Sequence, residues 1–288
     1  MHWTLSRKLI LLTALPLALV FYFAWMDLAS SWAHLQRHVS LQQQVEVVDA
    51  LADVAHQHAV ERGLSAGFLG SKGASLGAEL RQQRQQADAS EQALQQLRLS
   101  HKAELAPRTQ QALDGVVTRL RQKPDIRSAV DNLQGAGVFA YYSSLNEEAL
   151  DTEDLLRAQV FDVEIQRQLQ LRLFLDWIKE RAGQERGVVN GVLAAGKATG
   201  AQFAGIENYI HEQERLERML AQLADSAFLE RYRAATGDSS LSGFYDTRRR
   251  LQQQEAQLDA IQGPTPAIWF EAASLRIAAL ADLVRDLD

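Results

Sequence analysis

The chain has 288 residues, no cysteine, only five prolines and a formal net charge of −6. Without cysteine it has neither disulfides nor thiolate metal sites. The acidic balance argues against the basic face that nucleic-acid binding requires, while the few prolines among many alanines, leucines, glutamines, arginines and glutamates favour long helices.

In chain order, the first element is an uncharged apolar run from Leu9 to Met26, close to the ~20 residues that span a bilayer. Arg7 and Lys8 precede it, Asp27 follows, and Trp3, Trp25 and Trp32 fall at interfacial positions. The positive-inside rule then places residues 1–8 in the cytoplasm and reads 9–28 as a transmembrane helix. The run exceeds the roughly 7–15-residue core of a cleaved signal peptide. It therefore predicts an uncleaved anchor in the cell inner membrane, with residues 33–288 in the periplasm. His34 and His38, four apart with no accompanying carboxylate motif, read as surface residues rather than a metal pair.

Beyond the anchor, Leu35, Val39, Val45, Val48, Leu51 and Val54 recur at helical spacing and lead into the stretch ERGLSAGFLG at 61–70. Gly73, Pro107, Pro124 and Gly135–Gly137 punctuate the shorter helices that follow. A second long helix is predicted from about Val163 through Leu169, Leu173, Phe174 and Ile178. Later breaks fall near Gly200, between Gly237 and Gly243, and at Gly263–Pro266, where Thr265 before Pro266 reads as a cap and first-turn proline. The glutamine-rich stretches RQQRQQ (81–86) and LQQQEAQL (251–258), and the run Arg248-Arg249-Arg250, read as solvated helix faces. No segment reads as a strand, so the fold class is all-α. Short connections favour antiparallel bundles, in two halves of about 33–150 and 151–288.

The division into halves rests on a repeat. ERGLSAGFLG returns as ERGVVNGVLA at 185–194, with Glu61/Glu185, Arg62/Arg186, Gly63/Gly187, Gly67/Gly191 and Leu69/Leu193 in register. In each copy two glycines lie four apart on one helix face, which predicts close approach of another backbone. Neither arginine has an acidic neighbour on its own helical face, and burying one is costly unless something negative meets it. Two arrangements satisfy that requirement. Either Arg62 pairs with Glu185 and Arg186 with Glu61, or the two arginines converge on a shared small anion through planar, charge-assisted hydrogen bonds. Successive helical residues diverge by ~100°, so glutamate and arginine of one copy cannot both lead into one contact. There is no HExxH, phosphate loop or nucleophile arrangement. No catalytic residue, metal site or cofactor is expected, and the chain does not read as an enzyme.

ERGLSAGFLGSKG (61–73) with LRQQRQQAD, KERAGQERGVVNGVLAAG (179–196), FAYYSSLNEE (139–148) and PAIWFEAASLRIAAL (266–280) resemble the NIT domain family of nitrate and nitrite sensors. The resemblance spans roughly residues 45–285 and is most specific at the paired ERG elements. It implies an all-helical sensor of two antiparallel four-helix bundles following the transmembrane helix. It further implies nitrate or nitrite held between the bundles, with Arg62 and Arg186 at the family's ligand positions. Ser65 and Asn190 are candidates for further hydrogen bonds, and Gly63, Gly67, Gly187 and Gly191 for close packing around the ion.

Such a module is expected to be the periplasmic sensing part of a homodimeric membrane receptor, passing a helix shift inward to an output segment that these residues do not include. Two alternatives accompany that expectation. One is a sensor of another small ligand such as a carboxylate, and the other a ligand-free interaction scaffold whose arginines sit in structural salt bridges.

Overall fold

The computed structural model describes residues 5–102 and 105–287, with side chains described at 17–30, 32, 41–102 and 105–287. Among these residues the chain is helical throughout, with no strand. Ten α-helices follow one another: α1 (Leu5–Gly70), α2 (Gly77–Ser100), α3 (Pro107–Leu120), α4 (Lys123–Asp131), α5 (Val138–Arg157), α6 (Val163–Ala195), α7 (Gly200–Leu223), α8 (Ser226–Thr236), α9 (Ser242–Gln252) and α10 (Pro266–Arg285). Short 3₁₀ turns flank α9.

The chain divides into two compact units, Met1–Val45 and Glu46–Asp288. In the first, the described apolar side chains Leu17, Val20, Phe21, Phe23, Trp25, Met26 and Leu28 are all exposed. The expected span 9–28 is only partly covered, since its side chains up to residue 16 lie outside the described residues, as do those of Trp3, Arg7, Lys8, His34 and His38. Among the described residues no helix is long and apolar enough to cross a membrane.

In the second unit the helix boundaries follow local chemistry. Pro107 opens α3, and α5 begins after Gly137, whose φ of +78° is open to glycine without strain. The Asp162 carboxylate caps α6 by accepting from the Glu164 and Ile165 amides, both at 3.0 Å. Thr199 and Gln202 close a capping box on α7, and Asp225 caps α8. Thr265 caps α10 with Pro266 in its first turn, as the spacing predicts. Such caps satisfy amides that have no partner inside the helix and contribute about 1 kcal/mol each.

The longest helix of this unit, α6, is its axis, packing against α5, α7 and α10. Its first half buries Leu171, Phe174, Leu175 and Ile178 against Leu216 and Leu220 of α7, Phe228 and Tyr232 of α8, and Leu280 and Leu283 of α10. Its second half buries Val189 and Val192 with Ile206, Ile210, Phe244, Leu251, Trp269 and Ala273. Each such side chain removed from water is worth about 1.5–3 kcal/mol.

The two motif glutamates anchor the two halves. Glu61, fully buried, accepts from Arg127 Nε at 2.7 Å and Nη2 at 2.8 Å and from the Tyr142 hydroxyl at 2.8 Å. Glu185, equally buried, accepts from Arg248 Nε at 2.9 Å and Nη2 at 2.5 Å and from Gln213 Nε2 at 2.8 Å. Of the two arrangements open to the motif, the cross-pairing of Arg62 with Glu185 and Arg186 with Glu61 therefore does not occur, because each glutamate is held by an arginine of its own half. Two further expectations are corrected. Arg248 is a core clasp rather than part of a solvated run, although Arg249 and Arg250 are exposed. Within RQQRQQ, Gln83 is buried and donates to the Gln57 carbonyl at 2.9 Å.

The two clasps differ in redundancy, since Arg127 also holds Asp88 at 2.8 Å. Among the described residues, Arg248 has no second carboxylate. Glu185→Gln is expected to cost about 3–5 kcal/mol, as for a buried pair losing one partner. Glu61→Gln is expected to cost less. Urea unfolding of the two variants side by side checks the order.

Candidate functional site

The ~100° step between neighbouring residues that turns Glu61 and Glu185 into their own halves turns Arg62 and Arg186 towards each other, across the junction of α1 and α6. Arg62 is 3% exposed. Its guanidinium grips Glu180 of α6 in a fork, Nη1 to Oε1 at 2.5 Å and Nη2 to Oε2 at 3.1 Å, and donates to Ser143 Oγ of α5 at 2.8 Å. Its outer face lies over the Phe139 ring, 5.1 Å from the centroid. Glu180 is itself buried and accepts further from Asn146 Nδ2 at 3.0 Å and Gln184 Nε2 at 2.9 Å.

Arg186 is held differently. Nη1 donates to Ser274 Oγ of α10 at 2.8 Å, and the guanidinium lies over the Phe270 ring at 4.4 Å. No carboxylate lies within ion-pair distance of it among the described residues. Burial, followed by the neighbouring charge of Arg62, lowers its pKa to about 10, with Glu180 opposing the shift. It thus remains a cation at neutral pH, but one without a counter-charge of its own.

The glycines make room for these side chains. A Cβ at Gly63 would stand 2.9 Å from Arg186 Nη2, and one at Gly183 would stand 2.8 Å from Arg62 Nη2. Each guanidinium therefore occupies the space over a glycine of the opposite helix. A Cβ at Gly187 would stand 2.5 Å from the Phe139 ring, and one at Gly67 would collide with Leu76 Cδ1. Gly191 faces open space. The expected backbone-to-backbone approach at Gly63, Gly67, Gly187 and Gly191 is thus corrected: three of them admit side chains, and Gly183 does the work assigned to Gly191. Leu76 holds a left-handed φ of 64°, a costly conformation for a bulky residue.

Two cavities flank the arginine pair, of about 260 and 390 Å³, sharing Arg62, Gly63, Leu76, Gly183, Arg186 and Phe270 in their walls. The first continues past Ala55, Ala59, Val60, Leu64, Leu150 and Ile277, with His56, Lys179 and Asp176 also in its lining. Lys179 is neutralised by Asp176 at 2.6 Å. Burial and then Lys179 lower the His56 pKa, keeping its imidazole neutral. The second cavity includes Asn190, Phe139, Pro266 and Glu271. Of the sequence candidates, Arg62, Arg186 and Asn190 therefore face the cavities. Ser65 is fully buried, its Oγ has no hydrogen-bond partner, and it lines neither cavity. Spacing gives no warning of Glu180, Ser143 or Ser274 as arginine partners, nor of Phe139 and Phe270 as the rings beneath them, although all five belong to stretches that carry the family resemblance. Chemically, the assembly is a partly dry pair of guanidinium forks with one positive charge left over. Such a site suits a small planar anion.

The fold is shared with a solved structure, that of the NasR transcription antiterminator, with a TM-score of 0.80 and 19% identity over 92% of this chain and 72% of that one. No curated protein matches the chain. The family model for nitrate and nitrite sensing, NIT, matches residues 53–288. That span takes in both ERG motifs and every residue that lines the two cavities, and the chain belongs to the NIT family.

Proposed function

We propose that this chain is the periplasmic sensing domain of a membrane receptor that binds nitrate or nitrite between Arg62 and Arg186. The observation that carries the reading is Arg186, a cation beside a second cation, with hydrogen-bonding capacity facing a cavity and no carboxylate to neutralise it among the described residues. A buried charge of this kind is costly until an anion meets it. Nitrate and nitrite are planar, singly charged and weakly basic, so they match the donor plane of a guanidinium without competing for its proton. Family membership supports the same ligands.

The exposed apolar side chains from Leu17 to Leu28 support anchoring of α1 in a bilayer. With α1 carrying Arg62 and α10 carrying Phe270 and Ser274, bound anion bears on both helices. Displacements of about 1–2 Å are ordinary for signalling helices. Assembly as a symmetric homodimer fits the general habit of such proteins.

One observation favours a second reading, a small carboxylate ligand. The cavity of about 260 Å³ runs past Ala59, Val60, Leu64 and Ile277, an apolar lining that an ion of three or four heavy atoms does not fill.

Calorimetric titration of the detergent-solubilised chain with nitrate, nitrite, chloride and butyrate tests both readings. Saturable nitrate or nitrite binding is expected, with Arg186→Gln weakening it roughly tenfold to hundredfold, as for loss of a charge-assisted hydrogen bond. Tighter binding of butyrate than of nitrate would select the second reading, and silence with every anion would remove the site. A second comparison separates binding from folding. Gly63→Ala should leave thermal stability level or raised, since alanine gains up to about 1 kcal/mol in a helix. It should nonetheless weaken nitrate binding, because the methyl displaces the Arg186 guanidinium tip. Gly183→Ala should weaken binding and also lower stability, because its methyl displaces the Arg62 tip that is paired to Glu180. Gly191→Ala, which faces open space, should leave stability level or raised and the affinity alone.

A further inference from the structure

We propose that Glu180 sets the charge this site accepts and restricts it to singly charged anions; the proposal rests on the anion site inferred above. Among the charged residues at the arginine pair, α1 contributes Arg62, and α6 contributes Arg186, Lys179, Asp176 and Glu180. From α10 comes Glu271, which is exposed at the edge of the larger cavity and solvated. Lys179 and Asp176 cancel at 2.6 Å, and Glu180 cancels Arg62 through the two-point fork. One positive charge remains, on Arg186. A monoanion brings the buried charge to zero. A dianion brings it to minus one in a partly enclosed space beside buried side chains, where an uncompensated charge is penalised.

Glu180 is fixed for this role. It sits 5% exposed, and Asn146 Nδ2 and Gln184 Nε2 donate to its two oxygens. Its carboxylate is therefore a permanent resident of the site. It also engages Nη1 and Nη2 of Arg62, so it competes with the ligand for that guanidinium. Glu180→Gln keeps the shape and an acceptor oxygen for Arg62 while removing the charge. The residual charge becomes plus two, which suits a dianion of similar size.

The test is competition calorimetry on the detergent-solubilised chain, using nitrate and sulfate against the wild type and Glu180→Gln at fixed ionic strength. The wild type is expected to bind nitrate and to bind sulfate at least about a hundredfold more weakly. In Glu180→Gln, nitrate should bind about tenfold tighter and the sulfate-to-nitrate ratio should rise by about the same factor, because a dianion gains twice the Coulomb energy that a monoanion gains. A merely structural glutamate would change stability and leave that ratio unmoved, so an unchanged ratio in the folded variant overturns the proposal. Where the variant does not fold, the wild type alone decides, since sulfate bound within tenfold of nitrate is enough to overturn it. A wild type that binds neither anion removes the site itself, which is a different failure from nitrate binding without charge selection.

Discussion

Two guanidinium groups held side by side in a partly dry space repel each other, and the junction of α1 and α6 is arranged around that repulsion. The surroundings relieve it only in part. Phe139 and Phe270 offer ring faces at 5.1 and 4.4 Å, which attract a cation without neutralising it. Ser143 and Ser274 accept hydrogen bonds and carry no charge. Among the described residues, Glu180 is the carboxylate within ion-pair distance of the arginine pair, and it is spent on Arg62. Burial, and after it the charge of Arg62, depress the pKa of Arg186. The case for an anion follows from the unbalanced charge, because what the protein leaves uncompensated is the free energy that a ligand can recover.

The same constraint explains why glutamate, arginine and glycine stand in a row twice. Neighbouring side chains on a helix point ~100° apart. Glu61 and Glu185 can therefore reach into the cores of their own halves, where Arg127 and Arg248 wait, while the next residue leads outward to the junction. Glu–Arg adjacency is not a salt bridge in waiting; it directs one charge inward and the other across. The glycine that follows Arg62 receives the opposing Arg186 guanidinium. The second copy is not a mirror of the first. Arg62 rests over Gly183, which precedes Arg186 by one helical turn, and Gly187 makes room for the Phe139 ring. The two arginines consequently end in different company, one tied to a carboxylate and the other not.

Much of this was legible in the residues. The helices could be placed because their signals are local: apolar spacing through Val48, Leu51 and Val54, the cap at Thr265, and glycines and prolines at the breaks. The repeat singled out Arg62 and Arg186 because both are charged residues set among small ones. What stayed hidden depends on tertiary distance. Glu180 lies six residues before Arg186, off its helical face, and meets Arg62 only because α1 and α6 pack together. Arg248 looked solvated because it stands beside Arg249 and Arg250, yet the three diverge on α9 and only the first turns inward. The purpose of the glycines was misread for a related reason. Spacing says which residues share a face, but not whether backbone or a side chain will fill the space above it.

The unequal tethering of the two arginines bears on how a ligand would act in the proposed sensor. Arg62 is fixed by Glu180, which Asn146 of α5 and Gln184 of α6 hold in turn, so its position belongs to a connected polar network. Arg186 has one side-chain hydrogen bond, to Ser274, and one ring, Phe270, both on α10. The backbone repeats that link, since Trp269 Nε1 of α10 donates to the Arg186 carbonyl at 3.0 Å. An anion drawing the two guanidinium groups together therefore meets a stiff partner and a compliant one, and displacement falls on the compliant side. That side leads along α10 to Leu280, Leu283 and Val284, which pack against the first half of α6. A ligand shifts an equilibrium only through its preference for one arrangement over another. Here the preference is for the arrangement with Arg186 drawn nearest to Arg62, and α10 is the element whose contacts with Arg186 must adjust to reach it.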